Sequence, residues 1–210
     1  MDKPPPIRCD VASIRATAPV VGLLLAAGHS RRFGSDKLLQ PLPGGEPMVV
    51  ASARRLAAAT DRTLVLIRPQ QPALRRALAG LTVEVVETPP EADGMGTTLA
   101  TGIRATPQAA GWVVALGDMP CIAPDTLARV TAALRAGATL AAPYHAGQRG
   151  HPVGLAACWR AELAALSGDE GARHLLRTHG AAMVRIAVDD PGCLLDVDTP
   201  AALAQLVGGR

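Results

Sequence analysis

The sequence predicts an α/β fold in which helices cover both faces of a doubly wound, mostly parallel sheet. Short apolar runs alternate along the chain with amphipathic stretches rich in Ala, Leu and Arg, which is the pattern expected of βαβ units. The first run, Val20 to Leu25, shows no polar alternation and is typical of a strand buried on both faces. Hydrophobic residues make up 49% of the 210 positions, which supplies enough apolar surface for a three-layer core.

The individual elements follow from this pattern in chain order. Apolar runs predict strands, amphipathic stretches predict helices, and capping residues mark where helices begin. Pro124 with Asp125 marks one helix start, and Thr199 with Pro200 is typical of an N-cap followed by proline at the first helical position. The predicted strands are 20–26, 63–68, 82–87, 112–117, 139–143, 152–157 and 183–188, and the predicted helices are 46–59, 71–79, 97–105, 124–136, 159–166, 171–179 and 199–207.

The N-terminal segment differs in composition from the rest of the chain. Residues 1–17 contain three consecutive prolines and little periodicity, so we expect a flexible extension followed by a single domain at residues 18–210. The segment lacks the apolar stretch of a signal peptide, and no part of the chain approaches the roughly 20 apolar residues of a membrane span. These features predict a cytoplasmic protein without membrane contact.

Composition argues against several classes of function. The formal net charge is only +3, and two Trp, one Tyr and one Phe leave few side chains for base stacking, so no nucleic-acid partner is expected. The four cysteines, at positions 9, 121, 158 and 193, are widely spaced and match neither a zinc motif nor a small disulfide scaffold.

The segment from Leu25 to Lys37 carries the chemistry of a polyphosphate site. Small residues at Ala26, Ala27 and Gly28 follow the first strand and leave backbone N–H groups open to a ligand. Arg32 and Lys37 then supply a planar fork and a point charge to phosphate oxygens. Lys37 is one of only two lysines in the chain, the other being Lys3. The loop matches neither the Walker pattern nor the dinucleotide fingerprint, which disfavours a P-loop ATPase and a Rossmann dehydrogenase.

Aspartates at two places in the chain are candidates for a metal site. Asp118 follows the apolar run from Trp112 to Gly117, so its carboxylate is expected at the carboxyl end of a strand, where open α/β sheets bind ligands. Its alternative role is to cap the helix that follows. Asp196 and Asp198 precede Thr199, and either carboxylate could cap a helix or bind a metal. A pair of carboxylates suits Mg²⁺, which takes few protein oxygens and completes its shell with water and substrate phosphate.

These residues resemble a known family, the molybdenum cofactor cytidylyltransferases and the related molybdopterin-guanine dinucleotide synthases. The family's first-strand signature, L-A-A-G-x-S-x-R-[MF]-G-x-x-K, is filled at every defined position from Leu25 to Lys37. The order and spacing of further motifs agree from about residue 20 to 207. These motifs are G-M-G-T-T-L at 94–99, L-G-D-M-P at 116–120, R-G-H-P-V at 149–153, G-D-E-G-A-R at 168–173 and D-V-D-T-P at 196–200.

The resemblance implies a Rossmann-like nucleotidyltransferase fold of the glycosyltransferase-A type and assigns roles to particular residues. It implies catalytic roles for Arg32, Lys37 and Asp118, and metal binding by Asp118 and Asp198. The implied nucleotide site comprises Leu25, Ala26, Ala27, Gly28, Ser30, Arg32, Lys37, Gly94, Thr98 and Asp118, and the implied acceptor site comprises Thr97, His151, Asp169 and Arg173.

Purely structural roles remain alternatives for the residues of the implied acceptor site. The stretch from Gly94 to Leu99 could present helix N–H groups to an anion, or it could be an ordinary helix start capped by Thr97 or Thr98. His151 could contact the acceptor phosphate or could be a structural histidine beside a proline. Asp169 and Arg173 are four residues apart and could simply form an ion pair along a helix.

The reaction implied by the resemblance is the Mg²⁺-dependent transfer of CMP from CTP to the phosphate of molybdenum-bearing molybdopterin, with release of pyrophosphate. Ala26 and Ala27 resemble the cytidine-using type, because guanylyl-transferring relatives usually have glycine at the second position. A recipient molybdenum enzyme is a further implied partner. Two alternatives remain: a guanylyl- or other nucleotidyltransferase of the same fold acting on another phosphorylated acceptor, and a non-catalytic carrier or chaperone of the molybdenum cofactor.

Overall fold

The computed structural model describes residues 18–28, 36–91, 94–199 and 201–204. The strands are β1 (Val20–Leu25), β2 (Arg62–Ile67), β3 (Glu84–Glu87), β4 (Gly111–Leu116), β5 (Leu140–His145), β6 (Gln148–Arg149), β7 (Val153–Ala156) and β8 (Met183–Ala187). The helices are α1 (Met48–Ala59), α2 (Pro72–Leu78), α3 (Gly94–Ala105), α4 (Pro124–Arg135), α5 (Arg160–Ala164) and α6 (Arg173–Thr178), and residues 201–204 are also helical.

The strands form one mixed, mostly parallel sheet. Its order is β3-β2-β1-β4-β7-β5-β6, and β8 pairs with β5. Parallel pairing joins β1 to both β2 and β4, β2 to β3, and β5 to β8, whereas β7 runs antiparallel to β4 and β5, and β6 runs antiparallel to β5. The predicted α/β class with a mostly parallel sheet is confirmed.

The sheet separates two apolar layers. Side chains of β1 alternate between them: Val20 and Leu24 pack into one core cluster, and Val21 and Leu23 into the other. All six residues of β1 are buried, as the absence of polar alternation predicts. The two clusters lie between the sheet and its helices, which gives the three-layer arrangement expected from the composition.

The element boundaries differ from the predictions in several places. Helix α3 begins at residue 94, three positions earlier than predicted, and the C-terminal helices α5 and α6 are shorter than predicted. Strand β6, only two residues long, was absent from the predicted set because so short a hairpin strand has no periodicity of its own. The predicted extension at residues 1–17 lies outside the described residues. In the parts of the chain that the structure describes, no helix combines the length and apolar character that a membrane span requires.

The carboxyl ends of β1 and β4 lie side by side at one edge of the sheet. The amide of Gly117, just after β4, donates to the carbonyl of Leu25 at 3.0 Å. A Cβ at Gly117 would lie 3.3 Å from that carbonyl oxygen, so the two chain segments pass close together. The bend that begins at Ala26 therefore lies beside Asp118.

Candidate active site

The middle of the site is a lysine–aspartate centre, in which Lys37 lies between Asp118 and Asp198. Nζ of Lys37 donates to Oδ2 of Asp118 and to Oδ1 of Asp198, both at 2.8 Å. The side chain of Lys37 is 11% exposed, that of Asp118 22%, and that of Asp198 46%. The structure thus brings together three residues that the sequence places at distant positions.

Each of the three residues is positioned by its own element. Lys37 opens a 3-10 turn, Lys37–Leu39, whose next side chain, Leu38, is buried in the core. Asp118 follows β4, where open α/β sheets place ligand-binding groups. The backbone amide of Val197 donates to the carbonyl of Asp118 at 2.9 Å, and this bond holds the segment that carries Asp198 against the end of β4.

The helix-capping alternatives are taken by other residues. The hydroxyl oxygen of Thr199 accepts a hydrogen bond from the amide of Ala202 at 3.1 Å, so Thr199 is the N-cap of the last helix. Asp198 instead faces Lys37. The N-cap residue of α4 is Ala123, whose amide donates to Asp190 at 2.9 Å, so the side chain that contacts the start of this helix is Asp190 and not Asp118.

Lys37 is positively charged at neutral pH. Burial acts to lower its pKa, but the hydrogen bonds to Asp118 and Asp198, and the charges of the two carboxylates, outweigh that effect and raise the pKa above its ordinary value. One ammonium faces two carboxylates, which leaves a formal excess of one negative charge among these three groups.

The two carboxylates fit a hard divalent cation. Oδ1 of Asp118 is buried and has no hydrogen-bond partner among the described residues, an orphaned oxygen of the kind that a bound cation would satisfy. The described residues contain no group of three or more His, Cys, Asp or Glu side chains that could enclose a metal. A site with two carboxylates suits an ion that keeps water and substrate oxygens in its shell.

The small-residue bend after β1 begins within the sheet and then opens outward. Ala26 is buried, and its amide donates to the carbonyl of Leu66 at 2.9 Å. Ala27 is half-buried and Gly28 is exposed, with no atom within 4 Å of a Cβ built at that glycine. The bend therefore has free space beside its backbone. The predicted site residues Ser30 and Arg32 lie outside the described residues.

The start of α3 packs against the segment around Gly168. Gly94 has a φ of 88°, and a Cβ there would lie 2.3 Å from the carbonyl carbon of Gly168. The amide of Gly96 donates to the carbonyl of Gly168 at 2.7 Å, and the hydroxyl of Thr98 donates to the carbonyl of Gly94 at 3.1 Å. Neither Thr97 nor Thr98 is an N-cap, because the helix begins before both. Their ligand-binding roles, with that of Gly94, stay predictions.

A cavity of about 320 Å³ lies beside the lysine–aspartate centre. Its lining includes Leu25, the last residue of β1 before the bend, and Leu116 and Met119, which lie on either side of Asp118. Much of its wall is apolar, whereas cations and carboxylates line other parts. The polar or charged lining residues are Arg149, His151, Glu170, Arg173 and Asp196.

Only some of the predicted acceptor residues line this cavity. His151 and Arg173 line it, and Asp169 is exposed in the neighbouring loop. No ion pair within 4 Å joins Asp169 to Arg173, both of which the structure describes, so the simple helical pairing does not account for them. Glu170 and Arg149 also line the cavity; both lie within motifs shared with the family, but neither is among the predicted acceptor residues.

His151 is neutral at pH 7. Burial lowers its pKa, and this effect, with the charge of Arg149, outweighs the opposing influence of the Val114 backbone and of the carboxylates of Asp118 and Asp196. Its Nδ1 is buried and has no hydrogen-bond partner among the described residues. A neutral imidazole in the cavity wall can donate or accept one hydrogen bond at that atom, according to its tautomer.

Comparison with known proteins identifies the family. The model of the MobA-like NTP transferase domain matches residues 22–184, which include Lys37, Asp118, His151 and Arg173. This chain belongs to that family. As a MobA-like NTP transferase it is a nucleotidyltransferase, and the predicted family and fold are confirmed.

Curated relatives of this MobA-like protein carry several names. The purine catabolism protein PucB of Bacillus subtilis is 30% identical over 194 residues, which cover 86% of this chain and 92% of that protein. The probable molybdenum cofactor guanylyltransferase of Mycobacterium tuberculosis is 35% identical over 159 residues, 70% of this chain and 71% of that protein. Nicotine blue oxidoreductase of Paenarthrobacter nicotinovorans is 28% identical and covers 90% and 96%.

Solved structures share the fold along most of the chain. Rv0371c from Mycobacterium tuberculosis superimposes with a TM-score of 0.75 at 32% identity, covering 90% of this chain and 97% of that one. A structure of Rv0371c in complex with manganese has a TM-score of 0.74 at 29% identity, with coverage of 90% and 98%. Nucleotidyltransferases of this family use divalent metal ions, which agrees with the donor set of Asp118 and Asp198.

Asp190 is a buried residue that no sequence motif indicates. It is 6% exposed and accepts hydrogen bonds from the amide of Ala123, the hydroxyl of Thr126 and the amide of Gly192, at 2.9, 2.7 and 3.0 Å. It fixes the start of the segment that ends in Asp198. The only local signal was an aspartate followed by Pro191 and Gly192, a combination typical of many surface turns.

Proposed function

We propose that this MobA-like protein transfers CMP from CTP to the phosphate of molybdenum-bearing molybdopterin. The observation that carries the proposal is the position of Lys37, Asp118 and Asp198 at the carboxyl edge of the sheet, beside a small-residue bend and an acceptor-sized cavity. The fold and the family establish nucleotidyl transfer; the donor base, the acceptor and the metal are the proposed part.

The proposed step is a displacement at the α-phosphorus of the nucleotide. An oxygen of the acceptor phosphate forms the new P–O bond, the bond between the α-phosphorus and the bridging oxygen breaks, and pyrophosphate leaves. Lys37 is placed to neutralise charge on the phosphates, because its ammonium stays protonated at the edge of the sheet. Asp118 and Asp198 would hold Mg²⁺, which when bound would offset the negative charge of the triphosphate.

The cavity supports a phosphorylated acceptor that also carries an apolar or ring-shaped part. Leu99, Leu155 and Leu176 contribute apolar wall that excludes water, whereas Arg149 and Arg173 can bind an anionic group. The chemistry of the cavity thus matches a pterin bearing a phosphate, and the relatives named as molybdenum cofactor guanylyltransferases agree with an acceptor of that class.

The choice of CTP depends on Ala27. Its methyl group stands at the position where guanylyl-transferring relatives usually have glycine, so a purine edge would be crowded there. The relatives at 35% identity are named guanylyltransferases, which makes GTP the direct competitor. We place the reaction in the cytoplasm, where the nucleotide is made, and a molybdenum enzyme that receives the product is the proposed partner.

A product assay tests the proposal. The protein is incubated with Mg²⁺, one nucleoside triphosphate at a time, and molybdenum-loaded molybdopterin, and the product is identified by mass with pyrophosphate measured in parallel. We expect the cytosine dinucleotide and one pyrophosphate per product, and a loss of at least about 100-fold in kcat for Asp118→Asn. Guanine dinucleotide as the main product would overturn the base assignment.

The same assay separates the alternatives. A carrier of the cofactor would bind molybdopterin without releasing pyrophosphate, and Asp118→Asn would leave that binding unchanged. A nucleotidyltransferase with another acceptor would release pyrophosphate only when sugar phosphates or polyol phosphates replace molybdopterin. Either result would contradict the proposed reaction.

A further inference from the structure

The ammonium of Lys37 holds the place between Asp118 and Asp198 that a divalent cation would need. We propose that Lys37 and the metal ion compete for this carboxylate pair, so that the metal is admitted when the triphosphate draws the ammonium away. This inference rests on the metal site of the proposed function. It goes beyond that site by making metal binding conditional on the nucleotide.

The geometry carries the competition. Nζ of Lys37 lies 2.8 Å from one oxygen of Asp118 and 2.8 Å from one oxygen of Asp198. Mg²⁺ binds carboxylate oxygens at about 2.0–2.1 Å. An ion bound to those two oxygens would occupy the space that the ammonium fills. An ion bound through the orphaned Oδ1 of Asp118 would still share that carboxylate with the ammonium, and two cations so close together would repel each other strongly.

Lys37 can leave the pair without disturbing the fold. Its backbone is fixed, because its carbonyl accepts a hydrogen bond from the amide of Gln40 at 3.1 Å and Leu38 is buried in the core. The side chain beyond Cα is a flexible four-carbon stem that ends in a point charge. Asp198, whose side chain is 46% exposed, leaves the pair open to solvent on one side. Only the side chain of Lys37 needs to move.

The residue type at this position supports the same conclusion. Lys37 is one of two lysines in a chain whose Lys and Arg residues together number 21. An arginine would bind each carboxylate through its planar fork in fixed directions, and it would not be displaced as readily. A lysine neutralises part of the negative charge in the metal-free protein and is still free to follow a stronger anion. The triphosphate at the bend after β1 would be that anion.

Manganese binding measured by electron paramagnetic resonance tests the competition without any turnover. Free Mn²⁺ gives a signal that is lost on binding, so the dissociation constant is obtained directly for the full-length protein. The test variant is Lys37→Met, which removes the charge and keeps the length of the side chain. The matched control is Arg75→Met, because Arg75 is an exposed cation whose partner is Glu87, on the edge strand β3.

We expect Lys37→Met to bind Mn²⁺ at least about tenfold more tightly than the wild-type protein when no nucleotide is present. Arg75→Met should bind as the wild type does. With α,β-methylene CTP, and after subtraction of a nucleotide blank, the wild-type affinity should rise by at least a similar factor, whereas the variant should gain less. Equal or weaker Mn²⁺ binding by Lys37→Met, in a variant whose thermal melt is cooperative, would overturn the competition.

Nuclear magnetic resonance of the wild-type protein decides the question if Lys37→Met does not fold. Labelling with lysine carrying ¹⁵N at Nζ gives only two ammonium signals, from Lys3 and Lys37, and Lys3→Arg assigns them. Saturating Mg²⁺ with α,β-methylene CTP should shift the Lys37 signal and speed its hydrogen exchange. An unchanged Lys37 signal would overturn the proposal.

The variant Asp118→Asn separates two outcomes. In one, only the proposed competition is wrong; in the other, the metal site on which it rests is wrong as well. If Asp118→Asn binds Mn²⁺ as tightly as the wild-type protein with the CTP analogue present, the metal site of the proposed function is wrong and the competition is overturned with it. If Asp118→Asn binds Mn²⁺ more weakly and Lys37→Met shows no gain, the metal site stands and the competition alone is overturned.

Discussion

The carboxylate of Asp190 lies 2.7 Å from the hydroxyl of Thr126, and this contact joins two segments that are 64 positions apart. Asp190 also accepts from the amides of Ala123 and Gly192. The start of α4 and the segment leading to Asp198 are therefore fastened to the same buried carboxylate. Asp190 is therefore expected to help position Asp198, which the same segment carries.

Asp190→Ala should destabilise the fold and weaken metal binding together. The substitution leaves two buried donors and one partly buried donor without their acceptor, at about 1–3 kcal/mol for each buried group that stays unsatisfied. We expect a loss of about 2–4 kcal/mol in the free energy of unfolding, measured by urea titration, and weaker Mn²⁺ binding. Asp189→Ala is the control, because the neighbouring side chain is fully exposed. A loss of stability with unchanged Mn²⁺ affinity would contradict the positioning role.

The buried imidazole of His151 should make stability depend on pH. Its pKa in the folded protein is lowered by burial, so the unfolded chain takes up a proton at higher pH than the folded chain does. The free energy of unfolding then does not depend on His151 above about pH 6.5, the pKa of histidine in the unfolded chain. It falls as the pH drops below that value toward the lower pKa of His151 in the folded protein. Urea titrations from pH 7.5 to 5 should show a smaller fall for His151→Gln than for the wild type. His174→Gln, on the exposed face of α6, should keep the wild-type slope.

Gly94→Ala tests the close packing at the start of α3. The φ of 88° is unfavourable for alanine, and the added Cβ would lie 2.3 Å from the backbone of Gly168. The strained backbone alone is worth about 1–3 kcal/mol, so the thermal midpoint should fall by several degrees. Gly80→Ala has open space around the new Cβ and should change the free energy of unfolding by no more than about 0.5 kcal/mol. Equal midpoints for the two variants would show that the contact with Gly168 is not needed.

Arg173 should contribute to acceptor binding and not to nucleotide binding. It lines the cavity, whereas Arg177, one turn further along α6, does not and lies beside His174. Arg173→Ala removes a charged hydrogen-bond donor, which is worth about 1.5–3 kcal/mol, so KM for the phosphorylated acceptor should rise at least about tenfold. KM for CTP should change little, and Arg177→Ala should leave both constants at their wild-type values. A rise in KM for CTP alone would assign Arg173 to the nucleotide.

Ala27→Gly should relax the choice of base. Removing the methyl group gives a purine edge room beside the bend, and one methyl group in a binding site is worth about tenfold or more in discrimination. The ratio of kcat/KM for GTP to that for CTP should rise by about that factor. Preserved turnover with CTP shows that the bend has kept its shape. An unchanged ratio in such a variant would mean that another residue selects the base.

The sequence was informative wherever a property is local. The apolar run of β1 identifies a buried strand without reference to any other part of the chain, and Asp118 is recognisable because it directly follows such a run. Thr199 was identified as a cap from the two residues that form the start of its helix, and its hydroxyl accepts the capping hydrogen bond.

Properties that depend on residues far apart in the chain could not be predicted from the local sequence. The antiparallel direction of β7 depends on its pairing with β4 and β5, and single runs of apolar residues do not encode it. The contact of Lys37 with Asp198 spans 161 positions. Asp190 was missed for the same reason, because its importance depends on the buried donors around it and not on its neighbours in the chain.

The separation of Lys37, Asp118 and Asp198 along the chain has a consequence for synthesis. A ribosome that has translated the chain only as far as β7 has already supplied the lysine, one carboxylate and seven of the eight described strands. The second carboxylate emerges some forty residues later, by the numbering of β7 and Asp198. The lysine–aspartate centre can therefore be completed only late in translation, after β1 through β7 have been synthesised.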